Sequence, residues 1–191
     1  MAWHSSNTDP YYTIQSRGRM SYYGAGSFPT CVMDGTEKVP GGTSGTYSQF
    51  LAIYENRRKV SSPVEVEFEA NSYAGTHASV KVKVKLEEDL AEGHVCHVVI
   101  WEDKVVSDKT YRFVERRMAQ YELITVSKKG QAQTIRRTFT LGAGWNKANL
   151  GVSAFVQKFA TREILNGRAA KLVEGVAVEP TSLGRVKTLF R

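Results

Sequence analysis

The alternation that begins at Pro63 constrains this chain more than any other feature. Val64, Val66 and Phe68 alternate with Glu65, Glu67 and Glu69. After a loop containing Gly75, Val80, Val82, Val84 and Leu86 alternate with Lys81, Lys83 and Lys85. Successive side chains of a strand point to opposite faces, so each segment carries one apolar and one charged face. Paired antiparallel, the two bury their valines together and set a ladder of glutamates opposite lysines. Exposed ion pairs of this kind add little stability. They do specify register, because a one-residue slip would turn charges into the core.

The period of two continues toward the C-terminus. His94 to Trp101 is an apolar strand, and Glu102-Asp103-Lys104 turns it into Val105-Val106. Tyr121 to Val126 and Gln133 to Leu141 alternate around Lys128-Lys129-Gly130. Leu150 to Gln157 and Arg162 to Leu165 make a last hairpin. Short strands with turn signals about every ten residues predict an antiparallel, immunoglobulin-like β-sandwich.

Before Pro63 the pattern is mixed. Asp9-Pro10 reads as a helix start, with the helix running to about Arg19. Tyr22 to Gly26 turns the chain into a short strand, Phe28 to Met33. Asp34-Gly35 is a tight-turn signal, and Thr36 to Val39 is the returning strand. A second helix spans about Thr46 to Lys59, with Tyr47, Phe50, Leu51 and Tyr54 on one apolar face. Ser61-Ser62-Pro63 ends it. The expected class is therefore α+β: an N-terminal segment over 1–60, a β-sandwich over 63–172 and a tail over 173–191.

With 41% hydrophobic and 24% charged residues in 191, the chain has ordinary globular composition. No apolar run approaches the roughly 18 residues of a membrane span. Met1-Ala2-Trp3-His4 has no signal-peptide character, which leaves either a cytosolic protein or a start that lies upstream. The net charge of +7 is scattered after residue 110, from Arg112 to Arg137, with no nucleic-acid motif beside it. It reads as solubility, and no nucleic-acid partner is expected.

Groups able to carry chemistry are sparse. Cys31 and Cys96 are far apart and form no CxxC, so two separate buried thiols are expected, with a bridge between the halves as the alternative. His94 and Cys96 share a strand face while His97 points away, which leaves two metal ligands where a structural zinc wants four unless His4 and His77 are recruited. Gly41-Gly42-Thr43-Ser44-Gly45-Thr46 opens a helix but lacks the lysine of a phosphate-binding loop. Glu102 and Asp103 are adjacent and point apart. No residue is assigned as catalytic, cofactor-binding or metal-ligating, and no cofactor is expected.

Trp3-His4, Asp9-Pro10, Tyr22-Tyr23-Gly24 and Phe28-Pro29-Thr30-Cys31-Val32-Met33-Asp34-Gly35 resemble the second half of a thioredoxin-like domain. Ser61-Ser62-Pro63, Trp101-Glu102-Asp103, Arg137-Thr138-Phe139 with Trp145-Asn146, and Ala154-Phe155-Val156-Gln157 with Thr161 to Leu165 resemble the Omp28-related outer-membrane proteins. The likeness runs from about residue 3 to 172. It implies a cis-proline at Pro29, with Cys31 near the position of a redox centre, and a partial thioredoxin-like segment joined to a sandwich. It also implies an extracytoplasmic, outer-membrane-associated or cell-surface location.

The redox CxxC of such a fold is missing, which leaves a fragment, a shortened protein, or a sheet completed by a partner or second copy. The expected function is a non-catalytic surface-associated binding or structural protein, self-assembling or bound to a protein partner. The alternatives are a fragment of a thiol-disulfide oxidoreductase whose CxxC lies upstream, and a cytosolic basic binding domain. Leu183, Val186, Leu189 and Phe190 share a face if the tail is helical, and would dock it to a partner subunit or the envelope.

Overall fold

The computed structural model describes residues 1–175, so the tail segment 181–191 lies outside the described residues. The alternating pair forms a hairpin, longer than the sequence pattern suggests, of Val64–Ala74 and His77–Leu86. Numbered in chain order after a first hairpin described below, these are β3 and β4. Val66 pairs with Val84, Glu65 with Lys85 and Glu67 with Lys83, the register that the charge ladder specifies. A bulge at Glu69 shifts the register between Phe68 and Ala70, and Glu69 then meets Lys81 at 2.9 Å. The valines and Leu86 are fully buried.

Two sheets face each other across that core. One has the order β10-β4-β3-β13, where β10 is Ala132–Thr140 and β13 is Val173–Glu174. The short β13 extends this sheet past Leu172, where the tail was placed. The other has the order β12-β11-β5-β8, built from Ile164–Lys171, Leu150–Lys158, His94–Glu102 and Val114–Met118. Cys96, Val98 and Ile100 of β5, with Val152, Ala154 and Val156 of β11, meet Val64, Val66, Val80 and Val82 of the first sheet. This is an α+β chain dominated by a β-sandwich.

Two expected pairings differ. The segment 121–126 does not form a hairpin with 133–141. Its ordered strand β9, Glu122–Leu123, joins β5, while β10 joins β4, so the chain crosses from one sheet to the other. The two stay neighbours through the Gln133 side chain, which accepts from the Thr125 N–H at 2.8 Å and donates to the Leu123 carbonyl at 2.8 Å. Val105–Val106 (β6) pairs with Thr110–Tyr111 (β7) as a small separate ribbon.

The first sixty residues form a third layer. Asp9 does not start a helix: its carboxylate accepts from the Tyr11 N–H at 2.8 Å and holds a turn. The helix α1, Ile14–Tyr23, begins at Thr13, whose hydroxyl accepts from the Ser16 N–H at 2.9 Å. A hydroxyl N-cap satisfies an otherwise orphaned donor. Gly24, at φ 62°, ends it in the left-handed conformation that glycine adopts without a Cβ penalty. The strands β1, Thr30–Met33, and β2, Glu37–Pro40, turn at Asp34-Gly35, both at positive φ as a two-residue turn requires. The Phe28–Pro29 peptide is cis. The helix α2, Thr46–Arg57, follows, two residues shorter than expected.

Side-chain and main-chain bonds tie this layer to the sandwich. Arg57 reaches both Asp34, at 3.0 Å, and Glu163, at 2.8 Å. The Ile164 N–H donates to the Asp34 carbonyl at 2.8 Å. The apolar face of α2, by contrast, is not buried: Tyr47, Leu51 and Tyr54 are all exposed, Tyr47 to 73%.

Candidate functional site

The face that α1 turns to the sandwich is polar. Its buried residues are Ser16, Arg19 and Tyr23, while Ile14 faces outward. That stripe has the i, i+3, i+7 spacing of a core-facing helix, but it meets polar groups on the outer face of the second sheet. Strand β5 is buried along its whole length; away from the sandwich core, His97 meets Arg19, Phe155 and Tyr121, and Trp101 meets Phe113.

At the N-terminal end of α1 lies Glu115, on β8 and only 1% exposed. Its Oε2 accepts from Thr13 Oγ1 at 2.5 Å and from Ser16 Oγ at 2.7 Å, while Oε1 is buried without a partner. Burial raises the Glu115 pKa despite these bonds and the nearby Arg116 and Arg117.

One turn on lies Arg19, 8% exposed. Its Nη2 donates to the Tyr23 hydroxyl and, at 3.0 Å, to Gln157 Oε1. Nη1 lies 3.5 Å from His97 Nε2, at the outer limit of a hydrogen bond. Nε is buried with no partner. The guanidinium sits 4.5 Å from the Tyr23 ring centroid, 4.9 Å from Tyr22, 5.6 Å from Phe155 and 5.9 Å from Trp3. No carboxylate is among the groups acting on it, and burial pushes its pKa down. Aromatic faces offset part of the cost of a buried cation, about 0.5–2 kcal/mol each. They do not replace a counter-ion.

Arg19 forms part of the wall of a cavity of about 1060 Å³ between the N-terminal layer and strands β11 and β12. Trp3, Phe28, Tyr111 and Phe155 give it aromatic walls, and Lys109 and Arg168 add positive charge. Its one acidic residue, Asp9, is engaged 2.7 Å from His4 Nδ1. Arg19 also lines a smaller cavity of about 490 Å³, with His97, Tyr121 and Phe159.

The residues singled out from sequence fall in different places. Cys31 lines the larger cavity, half-buried, and burial raises its thiol pKa. Cys96 is buried in the sandwich core, its pKa pushed up to about 12 by burial, and both thiols are free. Cys31 is thus less buried than expected. His94 is held by the Ala91 carbonyl, to which Nδ1 donates at 2.8 Å. His97 lies on the opposite face, where burial, with Arg19 beside it, pushes its pKa down to about 3. Among the described residues no three His, Cys, Asp or Glu side chains gather as a metal site.

In the glycine-rich loop the Thr46 hydroxyl accepts from the Thr43 N–H at 2.9 Å, and Gly45 at the helix start supplies no side-chain cap. Glu102 and Asp103 hold separate arginines: Arg116 lies 2.8 Å from Glu102, and Arg112 2.5 Å from Asp103.

Sequence reasoning missed the Arg19–Gln157–His97 cluster and Glu115. Gln157 and Glu115 stand where a strand exposed on one face would put polar residues. Alternation does not distinguish water from a polar helix on that side. The one available signal is the length of the apolar run His94 to Trp101, too continuous for a strand with one wet face.

Searches against protein-family models and against curated protein sequences each found no match. Among solved structures, HBP35 of Porphyromonas gingivalis matches with a TM-score of 0.72 at 14% identity, over 88% of this chain and 62% of that one. A share that large takes in more than half of the first sixty residues, so the N-terminal layer and the sandwich occur together in that fold. The chain spans less than two thirds of HBP35. A domain of the outer membrane lipoprotein Omp28 from Porphyromonas gingivalis matches at TM-score 0.44 and 18% identity, over 59% of this chain and 90% of that one. A beta-glucosidase from Kluyveromyces marxianus overlaps 59% of this chain and 14% of its own, at 14% identity and TM-score 0.36.

Proposed function

We propose that this chain is a non-catalytic, extracytoplasmic, surface-associated binding protein that self-associates. The observation that carries the reading is the large cavity beside Arg19, whose one thiol, Cys31, has its pKa raised by burial. A catalytic thiol needs its pKa lowered by a helix N-terminus, a cation or a paired base. Burial moves Cys31 the other way. The cavity's histidine, His4, is held against Asp9 and packs edge-on to Tyr11 and Tyr111. What remains is an aromatic, basic recess suited to holding a ligand.

The surface location rests on the resemblance of residues 3–172 to Omp28-related proteins. The fold shared with HBP35 agrees with the element order behind that resemblance. In this reading residues 1–60 are a partial thioredoxin-like segment, 63–172 an immunoglobulin-like sandwich and 173–191 a tail. Self-association is supported by the exposed apolar face of α2, where Tyr47, Leu51 and Tyr54 stand together.

A second reading, part of a thiol-disulfide oxidoreductase whose CxxC lies in a longer chain, is favoured by the place of Cys31 in the cavity wall, two residues after Pro29. Reduction of insulin disulfides in the presence of dithiothreitol, assayed on this chain joined to the CxxC-bearing segment that the second reading requires, separates the two. The non-catalytic reading expects the rate of the reductant alone, and turnover above it would support the oxidoreductase.

A further inference from the structure

We propose that the cavity beside Arg19 binds a carboxylate with an apolar body, of fatty-acid or aryl type, its charge paired with the Arg19 guanidinium. The inference names a ligand for the binding reading above and rests on it, but not on where the chain resides.

Charge is the first argument. Arg19 is buried, its neighbours are neutral and aromatic, and no carboxylate among the described residues offsets it. An ion taken out of water without a partner costs several kcal/mol. Proteins retain that cost where a ligand repays it. The remaining basic groups of the wall, Lys109 and Arg168, add attraction of the same sign, while the lone acid, Asp9, is occupied by His4.

Unused valence is the second. A guanidinium carries five N–H donors. Tyr23 and Gln157 take both donors of Nη2, His97 lies at the limit for one of Nη1, and Nε–H has no acceptor. A carboxylate oxygen would be a charge-assisted acceptor, stronger than the neutral partners now present.

Shape is the third. About 1060 Å³ is far more than a chloride or phosphate fills, and is in the range that encloses a drug-sized molecule. Trp3, Phe28, Tyr111 and Phe155 put four rings among its walls. They suit an apolar body and exclude a bare inorganic anion as the best fit.

Calorimetric titration of the intact chain with octanoate, 2-naphthoate and 1-octanol tests this. The expected result is saturable one-to-one binding of at least one carboxylate, about tenfold or more tighter than 1-octanol. The preferred carboxylate then identifies the body as alkyl or aryl. Arg19→Met should abolish the preference over the alcohol. Because that variant could unfold, Ala169→Trp provides a second test: it adds bulk to the β12 wall of the cavity from an exposed position and should weaken binding of all three. Equal affinity for octanoate and 1-octanol, carboxylate binding undiminished in Ala169→Trp, or no binding of either carboxylate would overturn the proposal. None of those results bears on the insulin assay, so the ligand and the non-catalytic reading fail separately.

Discussion

Ser16, on a helix of the N-terminal layer, donates its hydroxyl hydrogen to Glu115 of the sandwich at 2.7 Å, in a place closed to water. Thr13 donates to the same oxygen. A buried carboxyl therefore marks the point where α1 begins, and its protonation is linked to how firmly that layer is held. Burial raises the folded-state pKa of Glu115 above its unfolded value. The folded state then binds more protons within the window between the two. Stability from this group is present below the unfolded pKa, and is lost as pH rises through the raised folded one. Glu115→Gln keeps an acceptor for both hydroxyls and removes the titration. In urea denaturation from pH 4 to 7, the wild type should lose stability relative to E115Q as pH rises. A relative gain would mean that the carboxylate is stabilised where it lies.

The indole of Trp101 lies directly on Gly151 across the β5–β11 ladder, where a Cβ would overlap the ring. Its Nε1–H donates to Ser153 at 3.0 Å, which fixes the ring in place. Gly151→Ala should cost about 1–3 kcal/mol, the usual result of forcing atoms into a packed site. Gly144→Ala, with open space around it, should stay within about 0.5 kcal/mol. Urea midpoints of the two variants give the comparison.

Self-association through α2 is open to a direct test. Leu51 is 45% exposed, so Leu51→Glu should leave stability within about 0.5 kcal/mol of wild type. It should also lower the concentration-dependent increase in size seen by light scattering. A wild type that stays monomeric at high concentration would remove the self-association reading.

How much of this was legible in the sequence follows from burial. Val64 to Glu69 and Val80 to Leu86 were read correctly because one face of each strand is dry and the other wet, so the period of two appears in the residues themselves. The strand β9 was misassigned for the same reason: alternation states which residues turn inward, not which neighbour they pair with. Asp9-Pro10 and Thr13 are both good helix openings, and the sequence does not distinguish them; Asp9 is used on a turn and Thr13 opens α1. The cavity was invisible, since its walls come from β7, β11, β12 and the N-terminal layer, and Arg19 has the look of a solvated helix residue. Tyr47, Leu51 and Tyr54 specify the helix and its apolar face but not its exposure, because periodicity reports a face without reporting its partner.

In the binding reading the cavity beside Arg19 works by holding a ligand, and its thiol, Cys31, is inert. The pH dependence of Cys31 alkylation by iodoacetamide, followed on its own peptide by mass spectrometry, tests it most directly. Burial raises the Cys31 thiol above its ordinary value, and Cys96 is enclosed in the core. The account predicts a Cys31 rate that is low at neutral pH and still climbing at about pH 9, with Cys96 labelled only after denaturation. A rate that reaches its plateau below about pH 7 would show an activated thiolate and contradict it.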